Sequence, residues 1–109
     1  ADDIHGGLVE TSLLLHLRPD LVRKDAIRDF AGLARKLGKD NTWLGAEKPI
    51  GFGWMSQDLH AEGVSGNAAN ADAERGAAYL EHIVASLSGL LDEVAMTSLE
   101  ILKGVNKTS

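Results

Sequence analysis

One apolar stripe constrains this chain more than any other feature. Leu80, Ile83, Val84, Leu87, Leu90, Leu91 and Val94 recur at three- and four-residue spacing, which predicts a helix from about Asn70 to Val94 with a single apolar face. Its entrance is rich in alanine, from Ala68 to Ala78, and alanine is the strongest helix former. Gly63-Val64-Ser65-Gly66-Asn67 reads as the turn before it. Gly76, four residues ahead of Leu80, leaves room for tight packing on a neighbour. After Met96 the periodicity weakens, and a frayed tail with at most a short element around Leu99, Ile101 and Leu102 is expected.

The chemistry-bearing stretch lies near the other end. His5-Gly6-Gly7-Leu8-Val9-Glu10-Thr11-Ser12 sets an imidazole, two glycines, a carboxylate and two hydroxyls ahead of an apolar run, Leu13-Leu14-Leu15. Histidine titrates nearest neutral pH of all side chains, so it can move protons or bind a metal, and paired glycines let backbone amides approach a ligand. Glu10, Thr11 and Ser12 are placed to cap the following helix, where oxygen acceptors and negative charge are favoured. That helix is apolar on nearly every side from Thr11 to Leu17, which predicts burial on several faces. Pro19 should end it near Leu17 or Arg18 and open another short helical turn. His16, inside this segment, reads as a packed histidine rather than a catalytic one.

The first motif, continued by Leu13-Leu14-Leu15-His16-Leu17-Arg18-Pro19-Asp20-Leu21-Val22, resembles the His-x-Gly-x-x-Glu-Thr-Ser segment of the creatininase (creatinine amidohydrolase) family. A second segment agrees. Gly66-Asn67-Ala68-Ala69-Asn70-Ala71-Asp72-Ala73-Glu74-Arg75-Gly76 is similar to the family's Gly-Asp-Pro-x-x-Ala-Thr-Ala-Glu-Lys-Gly helix entrance. The two stand in the family's order and together correspond to the C-terminal part of its domain. The resemblance therefore implies a partial creatininase-like domain over 1–109. The fold it implies is α/β: the C-terminal portion of a three-layer α/β/α architecture on a mostly parallel sheet, here mostly helical with one or two short strands. No run of β-branched residues marks a strand independently. The family's domain is roughly twice as long, a common size for α/β proteins. An absent N-terminal half, carried by a second polypeptide or by an intact parent, is thus an expected partner, along with a small-molecule substrate and a homo-oligomer.

The middle of the chain is read less sharply. From Leu21 to Leu37, Arg23, Lys24, Asp25, Arg28, Asp29, Arg35 and Lys36 interrupt the apolar residues, giving short helical or extended pieces and then a polar loop from Gly38 to Asn41. These charges form either a solvated face or pairs with a neighbouring subunit. Gly51 and Gly53, beside Phe52 and Trp54, fit a loop or edge strand near a pocket. Trp43 and Trp54 are either wall residues over a small substrate or ordinary core or interface aromatics. His60 reads as a loop-surface residue and a second, weaker site candidate.

Composition removes several functions. Eleven basic against sixteen acidic residues give a net charge of −5, which opposes a phosphate backbone or an anionic membrane. Without cysteine there is no disulfide, thiolate metal site or cysteine nucleophile, in keeping with the cytoplasm. No apolar run approaches the ~18–20 residues that span a bilayer. The segment from Gly66 to Gly76 lacks the lysine-hydroxyl pair of a phosphate loop and the Gly-x-Gly-x-x-Gly of a dinucleotide site. Asn106-Lys107-Thr108 matches a glycosylation triplet, a frequent accident in a terminal segment.

Family resemblance implies an amidohydrolase in which divalent ions, zinc or manganese, activate water against a cyclic amide or another small C–N substrate. Most metal ligands of the family lie in its N-terminal half, so none is assigned to this chain. His5 is the implied proton carrier at the substrate, and Glu10 the carboxylate that orients either it or the loop. Gly6, Gly7 and Trp54 are the implied substrate-binding residues. Ile4 departs from creatininase itself, where an acidic residue is expected, so the substrate class stays broader than creatinine. Glu74 matches the second motif, although capping or an ion pair explains it equally. The alternative is a non-catalytic, self-associating helical piece.

Overall fold

In the computed structural model, which describes residues 2–102, the sequence forms four α-helices and two very short strands joined by turns. Asn106, in the possible glycosylation triplet, lies outside the described residues. Helix α1 spans Leu8–Leu17 and stops where Pro19 predicts. The Arg18 N–H donates to Leu14 O at 2.8 Å, and Pro19–Leu21 follow as a 3-10 turn. The helix begins earlier than Thr11, so Glu10 and Ser12 are helical residues rather than caps. Ser12 is its fully buried side chain, whereas Val9, Leu14 and Leu17 are exposed. The burial expected on several sides is not met because no layer among the described residues covers those faces.

A second 3-10 turn at Lys24–Ala26 leads to strand β1, Asp29–Phe30, and helix α2, Leu33–Asp40. The helix absorbs Gly38-Lys39-Asp40, expected as loop. An ion pair between Lys36 and Asp40 at 2.8 Å, one helical turn apart, supports that last turn. Between α2 and helix α3, Ser56–Leu59, the chain folds back on itself through Trp43 O to Ile50 N and Gly45 N to Ile50 O, both 3.0 Å, with a cis bond at Lys48-Pro49. Ala34, Ala46 and Leu59 form the core here, and Ile4, Leu33 and Trp54 pack against it.

Strand β2, Gly66–Asn67, pairs antiparallel with β1 in the register Asp29 with Asn67 and Phe30 with Gly66. Two short strands agree with the sequence reading; the mostly parallel sheet of the family fold is not formed by the described residues. A 3-10 turn at Ala68–Asn70 follows, capped by Asn67 Oδ1, which accepts from Ala69 N at 3.1 Å. Helix α4, Ala73–Met96, therefore starts three residues later than its alanine content predicts. Asp72 Oδ1 caps it by accepting from Arg75 N at 2.7 Å.

The chain divides into two compact units, Ala1–Tyr79 and Leu80–Ser109. The first contains every feature described above except most of α4. In the second, the stripe stays open: Ile83, Val84, Leu87, Leu90, Leu91 and Val94 are 45 to 61 % exposed. No helix among the described residues is long and apolar enough to cross a membrane.

Of the charges between Leu21 and Leu37, Arg28, Asp29, Arg35 and Lys36 pair within the chain. Arg35 joins Asp2 at 2.7 Å and Asp29 through two bonds of 2.6 and 2.8 Å. Arg28 pairs with Glu62 and lies over the Phe30 ring at 4.9 Å.

Candidate active site

The His5 loop owes its shape to bonds made at almost every backbone group. His5 N donates to Ser65 O at 3.2 Å, His5 O accepts from Ser65 N at 2.8 Å, and Ile4 N donates to Ser65 O at 2.9 Å. That bridge seats the histidine beside the segment that leads into the second motif. Gly6 then turns the chain with φ of 64°, in the left-handed region that favours glycine. A Cβ there would also meet Val64 Cγ1 at 2.8 Å. Gly6 O accepts from Thr11 Oγ1 at 3.2 Å, and Gly7 O accepts from Thr11 N at 3.2 Å.

Glu10 sits in the first turn of α1, and its carboxylate accepts from Gly6 N. The same Oε2 lies 3.7 Å from His5 Nδ1, with the two side chains 59 and 60 % exposed. An ion pair so exposed adds little to stability, so its consequence is orientation. His5, Gly6, Glu10 and Thr11, with apolar walls from Leu14 and Val22, line a cavity of about 220 Å³.

His5, Gly6 and Glu10 are thus brought together. Gly7 is buried and packs instead against the Asp3 carboxylate, which a Cβ at this position would strike. Trp54 does not line the cavity: its Nε1 donates to Ala46 O at 2.8 Å, fixing it against the Ala34, Ala46 and Leu59 core. Trp43 is exposed. His60 presents its ring edge-on to Phe30 at 5.7 Å. His16 is exposed, with its Cβ beside Gly76.

Asp3 was not singled out by its pattern, and Ser12 was read as a cap. The Asp3 carboxylate accepts from Leu8 N at 2.5 Å and Val9 N at 3.2 Å, making it the side chain that caps α1. Ser12 Oγ accepts from Asp72 N at 3.2 Å, so the motif's serine ties α1 to the entrance of α4. At that crossing Gly76 is buried against the Ser12 carbonyl. An aspartate ahead of a helix is a recognisable cap signal, but here it reaches over the intervening His5-Gly6-Gly7 turn rather than to its nearest amides.

Metal chemistry is implied by resemblance, and the donors at hand do not fit it alone. Among the described residues no three His, Asp or Glu side chains gather as a metal-binding group. His5 and Glu10 offer two, and one Glu10 oxygen is already engaged with Gly6 N.

No curated protein and no solved structure matches the chain. The family model described as creatininase, creatinine amidohydrolase, matches residues 1–91, taking in the His5 loop, the Ser65 bridge and the Ser12–Gly76 crossing. The chain belongs to the creatininase family.

Proposed function

We propose that this chain carries the proton-transferring part of a metal-dependent amidohydrolase that cleaves a cyclic amide or another small C–N substrate. The observation that carries the reading is the Glu10 carboxylate, held by Gly6 N and 3.7 Å from His5 Nδ1. Amide hydrolysis breaks the C–N bond only when the departing nitrogen takes up a proton. His5 is the general acid for that step, with the Glu10 carboxylate beside its Nδ1 to orient it. The small cavity, lined by His5, Glu10 and Thr11 together with apolar Leu14 and Val22, suits a compact substrate.

Zinc or manganese is the metal the family implies, and its ligands are assigned to the portion of the domain not present in this chain. The reading thus takes an N-terminal half or second polypeptide as partner. It also includes the three-layer fold, a homo-oligomer and a cytoplasmic setting. His5→Ala in the assembled enzyme tests it. The expected result is a kcat loss of about 10²–10⁴-fold with metal content unchanged; full turnover would refute the role.

The exposed stripe of α4 favours a second reading, a non-catalytic helical piece that associates with itself. Native mass spectrometry separates the two. A complex with a second polypeptide and bound divalent ions supports the enzyme, and a metal-free oligomer of this chain supports the piece.

A further inference from the structure

We propose that Asp3 is the positioning residue for His5, acting through the loop rather than on the substrate. The inference rests on the proton-carrier reading for its functional consequence. Its structural part stands on the bonds alone. The Asp3 carboxylate grips Leu8 N at 2.5 Å and Val9 N at 3.2 Å, so the chain leaves at Asp3, passes through His5, Gly6 and Gly7, and returns to the same side chain. His5 lies inside this closed turn.

The closure does work that no other group in the loop does. Gly7, at the N-cap position, has no side chain to accept from the first amides of α1. Glu10 serves Gly6 N, and Thr11 serves Gly6 O. Among the described residues Asp3 is the side-chain acceptor for the Leu8 and Val9 amides, and as an anion it also suits the positive end of the helix. Its seat is tight. A Cβ at Gly66 would lie 2.6 Å from Asp3 Oδ1 and 2.9 Å from Gly7 Cα, so the carboxylate is wedged between the two motifs. With the Ser65 bridge on one flank and Asp3 on the other, the His5 backbone has one available course. Releasing the Asp3 side frees the Gly6-Gly7 hinge, and a misplacement of about 1 Å in a catalytic group costs on the order of 10²-fold in rate.

The test begins with the chain itself. In an acid titration followed by NMR, the Leu8 and Val9 amide protons should move together with one midpoint, that of the Asp3 carboxyl. In Asp3→Ala, hydrogen exchange at His5, Gly6 and Leu8 should accelerate roughly 5- to 30-fold, the effect of losing a helix cap, while α2 is unchanged. Asp3→Asn, which keeps one acceptor oxygen, should recover part of that protection. Separate midpoints, or unchanged exchange in Asp3→Ala, would overturn the closure.

In the assembled enzyme Asp3→Ala should lower kcat with KM retained. It should cost nothing further in a His5→Ala background, because both changes act through the same imidazole. Independent, multiplying losses would overturn positioning. Full turnover in His5→Ala would instead sink the proton-carrier reading, while the NMR result would still decide the closure.

Discussion

Gly76→Ala offers the sharpest trial of how the two motifs are joined. A methyl group at Gly76 would overlap the Ser12 carbonyl oxygen and lie 2.5 Å from Ser12 C and 3.0 Å from His16 Cβ. Carbon atoms in good contact sit about 3.5–4.0 Å apart, so α1 and the start of α4 must separate by about 1 Å. That separation would strain the hydrogen bond from Asp72 N to Ser12 Oγ, already 3.2 Å long. Overpacking of this kind costs about 1–3 kcal/mol or more, whereas alanine in place of glycine within a helix returns about 1 kcal/mol. Because the obstacle is backbone rather than a flexible side chain, the upper end applies and the net loss should be about 2 kcal/mol. Gly89 on the same helix is the control. Nothing lies within 4 Å of a Cβ there, so Gly89→Ala should stabilise by about 0.5–1 kcal/mol. Urea denaturation of both variants gives the comparison directly. Equal stabilisation by the two would refute a close α1–α4 crossing.

Ser12→Ala should destabilise by about 1–3 kcal/mol in the same assay, since it removes the acceptor for Asp72 N; a neutral result would mean the hydroxyl is dispensable. Acid should weaken the fold through Asp29, whose carboxyl is held below the ordinary 3.8 first by its hydrogen bonds from Arg35. The folded form is then the more acidic, so this contribution is present above 3.8 and is lost as pH falls through the lower folded value. Arg35→Gln should therefore flatten the decline of the thermal midpoint in that range, and parallel curves for the two proteins would contradict it.

How much of this was legible depended on how far along the chain each cause acts. The apolar stripe of α4 repeats within one helix, and Pro19 stops α1 through its own geometry, so both showed in the residues. The His5 and Glu10 pair was legible because both lie within one short motif. Strands β1 and β2 were not, since two residues carry no alternation and each is set by a partner far away. The end of α2 was hidden because Gly38 favours a loop, whereas the helix runs on to Asp40. Ser12 looked like a cap because its partner, Asp72, is remote; Trp54 stayed open between pocket wall and core because its bond to Ala46 is made by the fold. The openness of the α4 stripe was likewise unreadable, because a periodic pattern specifies a face and not what covers it.

The Ser65 bridge has a consequence for the order in which the protein comes into being. His5 is synthesised well before its backbone partner, Ser65, and Ser12 well before its partner, Asp72. Contacts so distant must close a long stretch of chain before they return any free energy. A nascent polypeptide that has exposed α1 and α2 therefore carries the histidine without the architecture around it. The backbone partners of the loop are present only once the second motif has emerged, so synthesis through Gly76 has to precede this arrangement.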